Sequence, residues 1–169
     1  MFKKLNLSLS GIDFEKLKGN KILDNPTFKE FSLFDKKYFL DLISNKIQFD
    51  IPPHLINVTE IIYPGSRPHT DTWPTSINFY FDTHNAETSF WKDPNSTSTA
   101  IKGLAAYDIS KLQKVSTFVA QKGDCYLLNV SEIHSVHLIT PNDTRKIIRL
   151  GWFKYSFDEI LNSIKIING

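Results

Sequence analysis

The stretch GDCYLLNVSEIHSVHLITPNDTRKIIRLGW, which runs from Gly123 to Trp152, contains the pattern that decides the fold of this 169-residue chain. A Gly-Asp turn leads into a short apolar run, and a polar loop precedes a second run that begins at His134. A Pro-Asn-Asp turn then separates that run from a third one, which Arg145 opens. Short apolar runs separated by such turns predict the strands of a sandwich, barrel or jelly roll.

The segment of residues 75–82 shows strand character because its side chains alternate in polarity. The two predicted faces are Ile77, Phe79 and Phe81 on one side and Asn78, Tyr80 and Asp82 on the other. Further strands are predicted at residues 2–9, 55–63, 87–92, 115–120, 125–129, 134–139 and 146–155.

Two segments show helical spacing instead. Residues 35–47 predict an amphipathic helix, and residues 157–167 predict a closing helix with Ser156 as its N-cap. The apolar residues at helical spacing in the first segment are Tyr38, Phe39, Leu42, Ile43 and Ile47. The helices would cover one outer face of the β structure.

Because the chain has 169 residues, of which 41% are hydrophobic, we expect one domain over residues 1–169. Its parts would be a support segment (1–54), a β core (55–155) and a C-terminal helix (156–169).

Composition argues against several classes of protein. A net charge of +2 does not favour nucleic-acid binding, and a single cysteine, Cys125, excludes an intrachain disulfide and a cysteine-based zinc site. We expect Cys125 to be a small buried residue. The polar start and the lack of a long apolar run predict neither a signal peptide nor a membrane span, so we expect a cytoplasmic protein. The sequence does not indicate the oligomeric state.

The first chemical signal is His69-Thr70-Asp71, just before the alternating segment. An imidazole and a carboxylate two residues apart on an extended segment point the same way and can bind one divalent metal. The pair alone is weak, because the chain has 5 histidines and 18 acidic residues. A second histidine would complete a set that leaves coordination positions open, as Fe(II) oxygen chemistry requires.

Together with this motif, the stretch from Gly123 to Trp152 resembles the C-terminal half of the double-stranded β-helix of 2-oxoglutarate/Fe(II) oxygenases. In that family a Gly-Asp turn, a strand, the distal histidine and a carboxylate-binding Arg or Lys follow in this order. Upstream, YPGSRPHTD (63–71), INFYF (77–81) and AETSF (86–90) are similar to the prolyl-hydroxylase-like branch, although Ala86 stands where that branch has glycine. The resemblance covers roughly residues 55–155.

The resemblance implies a mainly β fold with flanking helices (α+β), a double-stranded β-helix of the cupin-like jelly-roll type. It implies Fe(II) held by His69, Asp71 and His134, which would be the catalytic residues, with 2-oxoglutarate and dioxygen as co-substrates. Arg145 would grip the far carboxylate of 2-oxoglutarate. The implied reaction is hydroxylation of an amino-acid side chain or a small molecule, so the partner would be a small-molecule or peptidyl substrate.

Two choices arise inside the motif. His134 and His137 are three apart on a predicted strand and face opposite sides, and we choose His134 as the ligand because it occupies the family position. Arg145 and Arg149 are four apart and share a face; Arg145 fits the family spacing. Arg149 could bind the co-substrate, reach an anionic substrate or pair with an acidic neighbour.

Other assignments stay open. Tyr80 and Asn78 could each hydrogen-bond 2-oxoglutarate, and Trp73 could pack or line the mouth of the site. The same ligands would also suit Mn, Co or Ni. One alternative is a cupin-like metal enzyme that uses no 2-oxoglutarate, and another is a non-enzymatic jelly-roll binding module.

Overall fold

Thirteen strands and three short α-helices lie in the residues that the structure, a computed structural model, describes: 1–7, 9, 12–95 and 107–167. The strands are β1 (Phe2–Leu5), β2 (Lys18–Asn25), β3 (Phe28–Leu33), β4 (Ile47–Phe49), β5 (Leu55–Ile62), β6 (Gly65–His69), β7 (Thr75–Asp82), β8 (Glu87–Lys92), β9 (Gln113–Val119), β10 (Cys125–Asn129), β11 (Ile133–His137), β12 (Thr144–Trp152) and β13 (Ile164–Ile166). The helices are α1 (Phe14–Leu17), α2 (Lys36–Ile43) and α3 (Phe157–Ser163), with a short 3-10 helix at Ile109–Lys111.

The strands form two main antiparallel sheets. The large sheet has the order β1-β10-β7-β12-β5-β3-β2, and the small sheet has the order β6-β11-β8-β9. The eight consecutive strands from β5 to β12 are therefore shared between two sheets, four in each. This arrangement is a double-stranded β-helix, or jelly roll, so the predicted fold class is confirmed.

The two faces of the large sheet have different environments. Phe79, Ile148 and Trp152 lie on the outer face, in the main hydrophobic core, together with Phe39 of α2 and Ile160 of α3. The rings of Phe39 and Phe79 meet edge to face, with centroids 5.8 Å apart. The helices thus cover one outer face, as predicted, which leaves the inner face of this sheet to meet the small sheet.

Both predicted helices are shorter than expected. The first ends at Ile43, and Ile47 lies instead in β4. The second ends at Ser163, and the last predicted turn is replaced by β13, whose Ile164 and Ile166 pair with Phe49 and Ile47 of β4. Alternating β-branched residues favour this pairing, because their side chains fit a half-buried pleated surface better than a frayed helix end.

The N-terminal third contains structure that the sequence did not indicate. Helix α1 is followed by the β2–β3 hairpin, which extends the large sheet beyond β5. Strand β2 is mostly exposed, and its pairing with β3 contains irregular register shifts, so it lacks the alternation that predicts a strand. Most other strand ends differ from the prediction by only a few residues.

Cys125 is fully buried, as expected. Among the described residues, no helix is long and apolar enough to cross a membrane.

The start of α3 allows a test of the local structure. The hydroxyl of Ser156 accepts a hydrogen bond from the backbone of Glu159, and the Glu159 carboxylate accepts one from the backbone of Ser156. We expect Ser156→Ala to lower the free energy of unfolding by about 1 kcal/mol, because the backbone N–H of Glu159 loses its acceptor, the hydroxyl that forms one half of the reciprocal cap. Urea unfolding measures the change. Ser44→Ala, at an exposed serine near the end of α2, is the control and should change stability by less than about 0.5 kcal/mol; equal effects of the two substitutions would contradict the capping role.

Candidate metal centre

The pairing of β6 with β11 brings the two predicted histidine ligands together. His69 at the end of β6 lies directly opposite His134 on β11, and their ring centroids are 4.4 Å apart. Gly65 begins β6 with a φ of +103°, and a Cβ there would lie 2.1 Å from the carbonyl oxygen of Val136. Only glycine combines this backbone conformation with such a close approach of the two strands. Gly65 thus sets the start of the strand that carries His69.

Asp71 completes the group from the segment that follows β6. Its backbone N–H donates to the carbonyl of Val130 at 2.9 Å, which ties this segment to the end of β10. Its Oδ1 lies 3.5 Å from Nε2 of His69. One ligand atom from each of His69, Asp71 and His134 lies within 4.8 Å of the others, so the three form a group that could hold a metal ion.

Both histidines are oriented by their backbone. Nδ1 of His69 lies 2.7 Å from the carbonyl oxygen of Arg67, and Nδ1 of His134 lies 2.9 Å from that of Glu132. We assign Nδ1 as the protonated donor in each ring, since a carbonyl can only accept. When the rings are neutral, this tautomer leaves Nε2 of each with a free lone pair, which is the arrangement found in metal-binding histidines.

The protonation states of Asp71 and His134 suit a metal, whereas the metal-free pocket favours a proton on His69. Burial alone would raise the pKa of Asp71, but its hydrogen bond with His69 and the nearby positive charge of Arg149 lower it to about 2. Burial and the neighbouring His69 lower the pKa of His134 to about 4. Burial opposes the charged form of His69 as well, yet its bond with Asp71 raises its pKa overall. An ionised carboxylate and a neutral imidazole are the forms that coordinate metals, so a metal bound here would displace the proton that His69 shares with Asp71.

Arg145 lies deeper in the pocket that the two sheets enclose. It is 1% exposed, its Nη1 donates to the hydroxyl of Thr88 at 2.7 Å, and its guanidinium lies 4.5 Å from the centre of the Tyr80 ring. Burial lowers its pKa. In the part of the chain that the structure describes, no carboxylate forms an ion pair with it. A buried guanidinium without a counter-charge is costly, so this position favours an anionic ligand.

Further polar atoms in the same pocket are unpaired. Of the four buried side-chain polar atoms without a hydrogen-bond partner among the described residues, three line this pocket: the hydroxyls of Thr59 and Tyr80, and Nε of Arg145. Burial raises the pKa of Tyr80, so its hydroxyl remains a donor. Buried polar groups are normally paired, and three unpaired ones in one pocket indicate space for a polar ligand.

Arg149 lies on the same face as Arg145 but in a different environment. Its Nη1 is 3.7 Å from Oδ2 of Asp71, and its Nη2 is 3.8 Å from Oε2 of Glu30. Its Nε donates to Oδ1 of Asn57 at 3.3 Å. Of the roles considered from the sequence, pairing with acidic neighbours is the one that these contacts show. A role of Arg149 in binding the co-substrate stays a prediction.

Of the remaining predicted residues, one lines the pocket and two lie outside it. Asn78 lines the pocket, where its Oδ1 accepts a hydrogen bond from Ser76 at 2.8 Å. His137 is exposed, while His134 lines the pocket, so the two face opposite sides as expected. Trp73 packs against Phe153 and the guanidinium of Arg149 instead of lining the pocket.

Two residues of the AETSF element contact residues of the candidate site. Its Thr88 accepts the hydrogen bond of Arg145, and the ring of Phe90 packs 6.0 Å from that of His134. Sequence reasoning missed Thr59, Asn57 and Glu30. The first two are polar residues two apart in a predicted strand that is mostly apolar, a pattern that could have placed both on one face of that strand. Glu30 lies on the unpredicted hairpin and had no such signal.

Strand order and site together define a jelly-roll domain with a His-Asp-His group that could hold a metal ion. No protein-family model matches the sequence, and no curated protein matches it. The structure is similar to vicilin from hazelnut, Corylus avellana, at 9% identity over 80% of this chain and 32% of the vicilin, with a TM-score of 0.44. It is also similar to a mutant of Bacillus subtilis oxalate decarboxylase OxdC, at 13% identity over 79% of this chain and 28% of that protein, with a TM-score of 0.43.

A third similar structure is the ycfD protein of E. coli, at 11% identity over 75% of this chain and 31% of that protein, with a TM-score of 0.45. The chain spans about a third of the length of each of these three proteins. The assignment to the jelly-roll class rests on the strand order of the chain itself.

The buried, unpaired Arg145 gives a prediction about stability. In the metal-free protein, we expect Arg145→Met to raise the free energy of unfolding by about 1–3 kcal/mol, because an apolar chain of similar length removes the cost of burying the charge. Urea unfolding in the presence of a chelator measures this. Lys146→Met, which removes the neighbouring cation paired with Glu15 on the outer face, is the matched control and should change stability by less than about 1 kcal/mol. A loss of stability in Arg145→Met would show that the charge is already compensated.

Proposed function

We propose that this chain is a metal-dependent enzyme and, more specifically, a 2-oxoglutarate/Fe(II)-dependent oxygenase that hydroxylates a small molecule or an amino-acid side chain. The observation that carries the proposal is the placement of Arg145. A buried cation without a carboxylate partner shares one pocket with a His-Asp-His group. A dicarboxylate that reaches from a metal in the His-Asp-His group to Arg145 would give the metal a ligand and the guanidinium a counter-charge.

The residues present fit a divalent metal. His134, and His69 once it has lost its proton, each offer a neutral nitrogen, and Asp71 offers an ionised oxygen; these ligand atoms lie within 4.8 Å of one another. Two imidazoles and one carboxylate leave several coordination positions open, which distinguishes the set from a closed structural site. Fe(II) bound there would supply the redox chemistry with dioxygen, which is the part of the reaction that side chains cannot perform.

The role of the protein at the other end of the pocket is to bind and orient the co-substrate. Arg145 offers a planar, permanently charged fork to a carboxylate, and the ring of Tyr80 and the hydroxyl of Thr88 hold that fork in place. The unpaired hydroxyls of Tyr80 and Thr59 are further donors at the pocket wall. A bound carboxylate would pair atoms that otherwise stay unsatisfied, so its binding recovers the cost of their burial.

Part of the pocket wall is apolar. The side chains are those of Leu128, Val130, Val136 and Ile147. Such a wall excludes water, which strengthens the electrostatic contacts inside and protects a reactive centre from side reactions. We place the substrate at the open side of the His-Asp-His group, and its identity is a small molecule or a peptidyl side chain.

A second candidate is a jelly-roll metal enzyme that uses no 2-oxoglutarate. The observation that favours it is that the His-Asp-His group is complete without Arg145, whose guanidinium already has Thr88 and Tyr80 as neighbours. In that case Mn or another divalent metal would suit the ligands equally well. The two candidates differ in one respect that can be measured, namely the affinity for 2-oxoglutarate.

Anaerobic titration of 2-oxoglutarate into the Fe(II)-loaded protein tests the proposal. We expect a charge-transfer absorption band from the chelated keto acid. In Arg145→Met the dissociation constant of 2-oxoglutarate should rise about thirtyfold or more, since losing one partner of a buried charge pair costs about 2–5 kcal/mol. Lys146→Met, whose side chain points to the outer face, should bind 2-oxoglutarate as the unaltered protein does.

His134→Ala tests whether the absorption band depends on the metal site. Because the substitution removes a metal ligand, it should abolish the band. Fe(II) binding without any band would refute the use of 2-oxoglutarate and favour the second candidate. A protein that binds no divalent metal at all would refute both candidates.

A further inference from the structure

Arg149 is held firmly beside the His-Asp-His group by two aromatic rings. Its guanidinium carbon lies 4.7 Å from the centre of the Trp73 ring and 5.9 Å from that of Phe28, and the residue is 8% exposed. Aromatic faces attract a guanidinium and restrict its plane. The orientation of this side chain is therefore determined before any ligand binds.

A strand outside the jelly roll adds a second restraint. Glu30 of β3 contacts Arg149 through Oε2, and its Oε1 accepts a hydrogen bond from the side-chain amide of Asn57. The oxygen of that amide in turn accepts a hydrogen bond from Nε of Arg149. The three side chains form a closed ring of polar contacts in a mostly buried place. Such a ring is satisfied only when all three members are present.

The two oxygens of Asp71 have different partners. Oδ1 lies 3.5 Å from Nε2 of His69, whereas Oδ2 lies 3.7 Å from Nη1 of Arg149. The last torsion of an aspartate is broad, so packing alone fixes a carboxylate poorly. A cation at one oxygen removes this freedom and determines which oxygen turns to the histidines.

We propose that Arg149 is a positioning residue: held by Trp73, Phe28 and the Glu30–Asn57 pair, it fixes the Asp71 carboxylate with Oδ1 turned toward the histidines. The inference rests on the proposed metal site but does not depend on 2-oxoglutarate. It also gives the β2–β3 hairpin, which lies outside the eight jelly-roll strands, a part in the metal centre through Glu30.

Titration of Co(II) into the metal-free protein tests this role without reference to turnover. The visible absorption of Co(II) reports the number and arrangement of its ligands. We expect Arg149→Met to bind Co(II) about tenfold more weakly or worse and to change the absorption bands, because Asp71 loses its fixed orientation. Methionine keeps an unbranched chain between the two rings, which limits the loss of packing.

Two further variants of the strand serve as comparisons. Arg149→Lys keeps the charge but not the planar fork, so its Co(II) affinity should lie between those of the unaltered protein and Arg149→Met. Lys146→Met removes a cation from the outer face of the same strand and should leave both the affinity and the spectrum unchanged.

Glu30→Gln tests the contribution of the hairpin. It removes the charge but keeps the shape, and we expect Co(II) to bind roughly twofold to fivefold more weakly. Because Glu30 would act through Arg149, the double variant Glu30→Gln/Arg149→Met should bind no more weakly than Arg149→Met alone. Additive losses would show that Glu30 acts independently, which contradicts the proposed linkage.

Other results would overturn the proposal in distinguishable ways. Tighter Co(II) binding by Arg149→Met would mean that Arg149 only repels the metal. Reduced thermal stability with unchanged affinity and spectrum would mean a purely structural role. Failure of the unaltered protein to bind Co(II) would overturn the metal site itself, and the inference with it. If Arg149→Met does not fold, Arg149→Lys and Glu30→Gln decide the question.

Discussion

Strand β12 is hydrogen-bonded on both sides, to β5 and to β7, and the alternation of its side chains is the constraint on which the rest of the structure depends. One set of residues, which includes Ile148 and Trp152, faces the helices in the main core. The other set, which includes Arg145 and Arg149, faces the pocket. A shift of the strand by one residue would exchange the two sets, placing two guanidinium groups in an apolar core. The core therefore holds the register that the site requires.

The two arginines of this strand are buried by different means. Arg149 is balanced by two carboxylates and two rings, so its charge is part of the resting structure. Arg145 has one hydroxyl and one ring, and its charge is uncompensated within the described residues. A protein that keeps an uncompensated buried cation gives up stability at that position, a pattern common at binding sites. Arg149 is thus part of the scaffold whether or not a ligand binds, whereas Arg145 is the position at which we propose that a ligand supplies the missing charge.

Much of the fold could be predicted because its signals are local. The alternation of residues 75–82 gave the two faces of β7 correctly, and the turns around the Gly123–Trp152 stretch separated β10, β11 and β12. The pairing of His69 with Asp71 followed from short-range geometry, whereas the resemblance to the 2-oxoglutarate/Fe(II) oxygenases pointed to His134 as the third member of the group. The structure brings these three side chains together, while the metal itself stays a proposal.

The parts that could not be predicted depend on contacts between distant segments. Ile47 and Ile166 have a helical pattern locally, and only their pairing with each other makes them strands. Glu30 reaches the site because an irregular, exposed hairpin adds to the edge of the sheet, which no periodicity in residues 18–33 indicates. The hydroxyl of Thr59 is buried and unpaired, which cannot be predicted without knowing the residues on the opposite wall of the pocket. Tertiary context decided each of these cases.

Gly151 leaves open the space that the indole of Trp73 occupies beside Arg149. A Cβ at this position would lie 3.3 Å from Cβ of Leu55 and 3.4 Å from Nε1 of Trp73, so a methyl group is barely accommodated and a larger group would displace the indole. The sizes of residues 55, 73 and 151 are thus interdependent. During divergence of such a chain, a bulkier residue at 151 would have to arise together with a smaller one at 73, and the guanidinium at 149 would lose one of its two flanking rings in the same step.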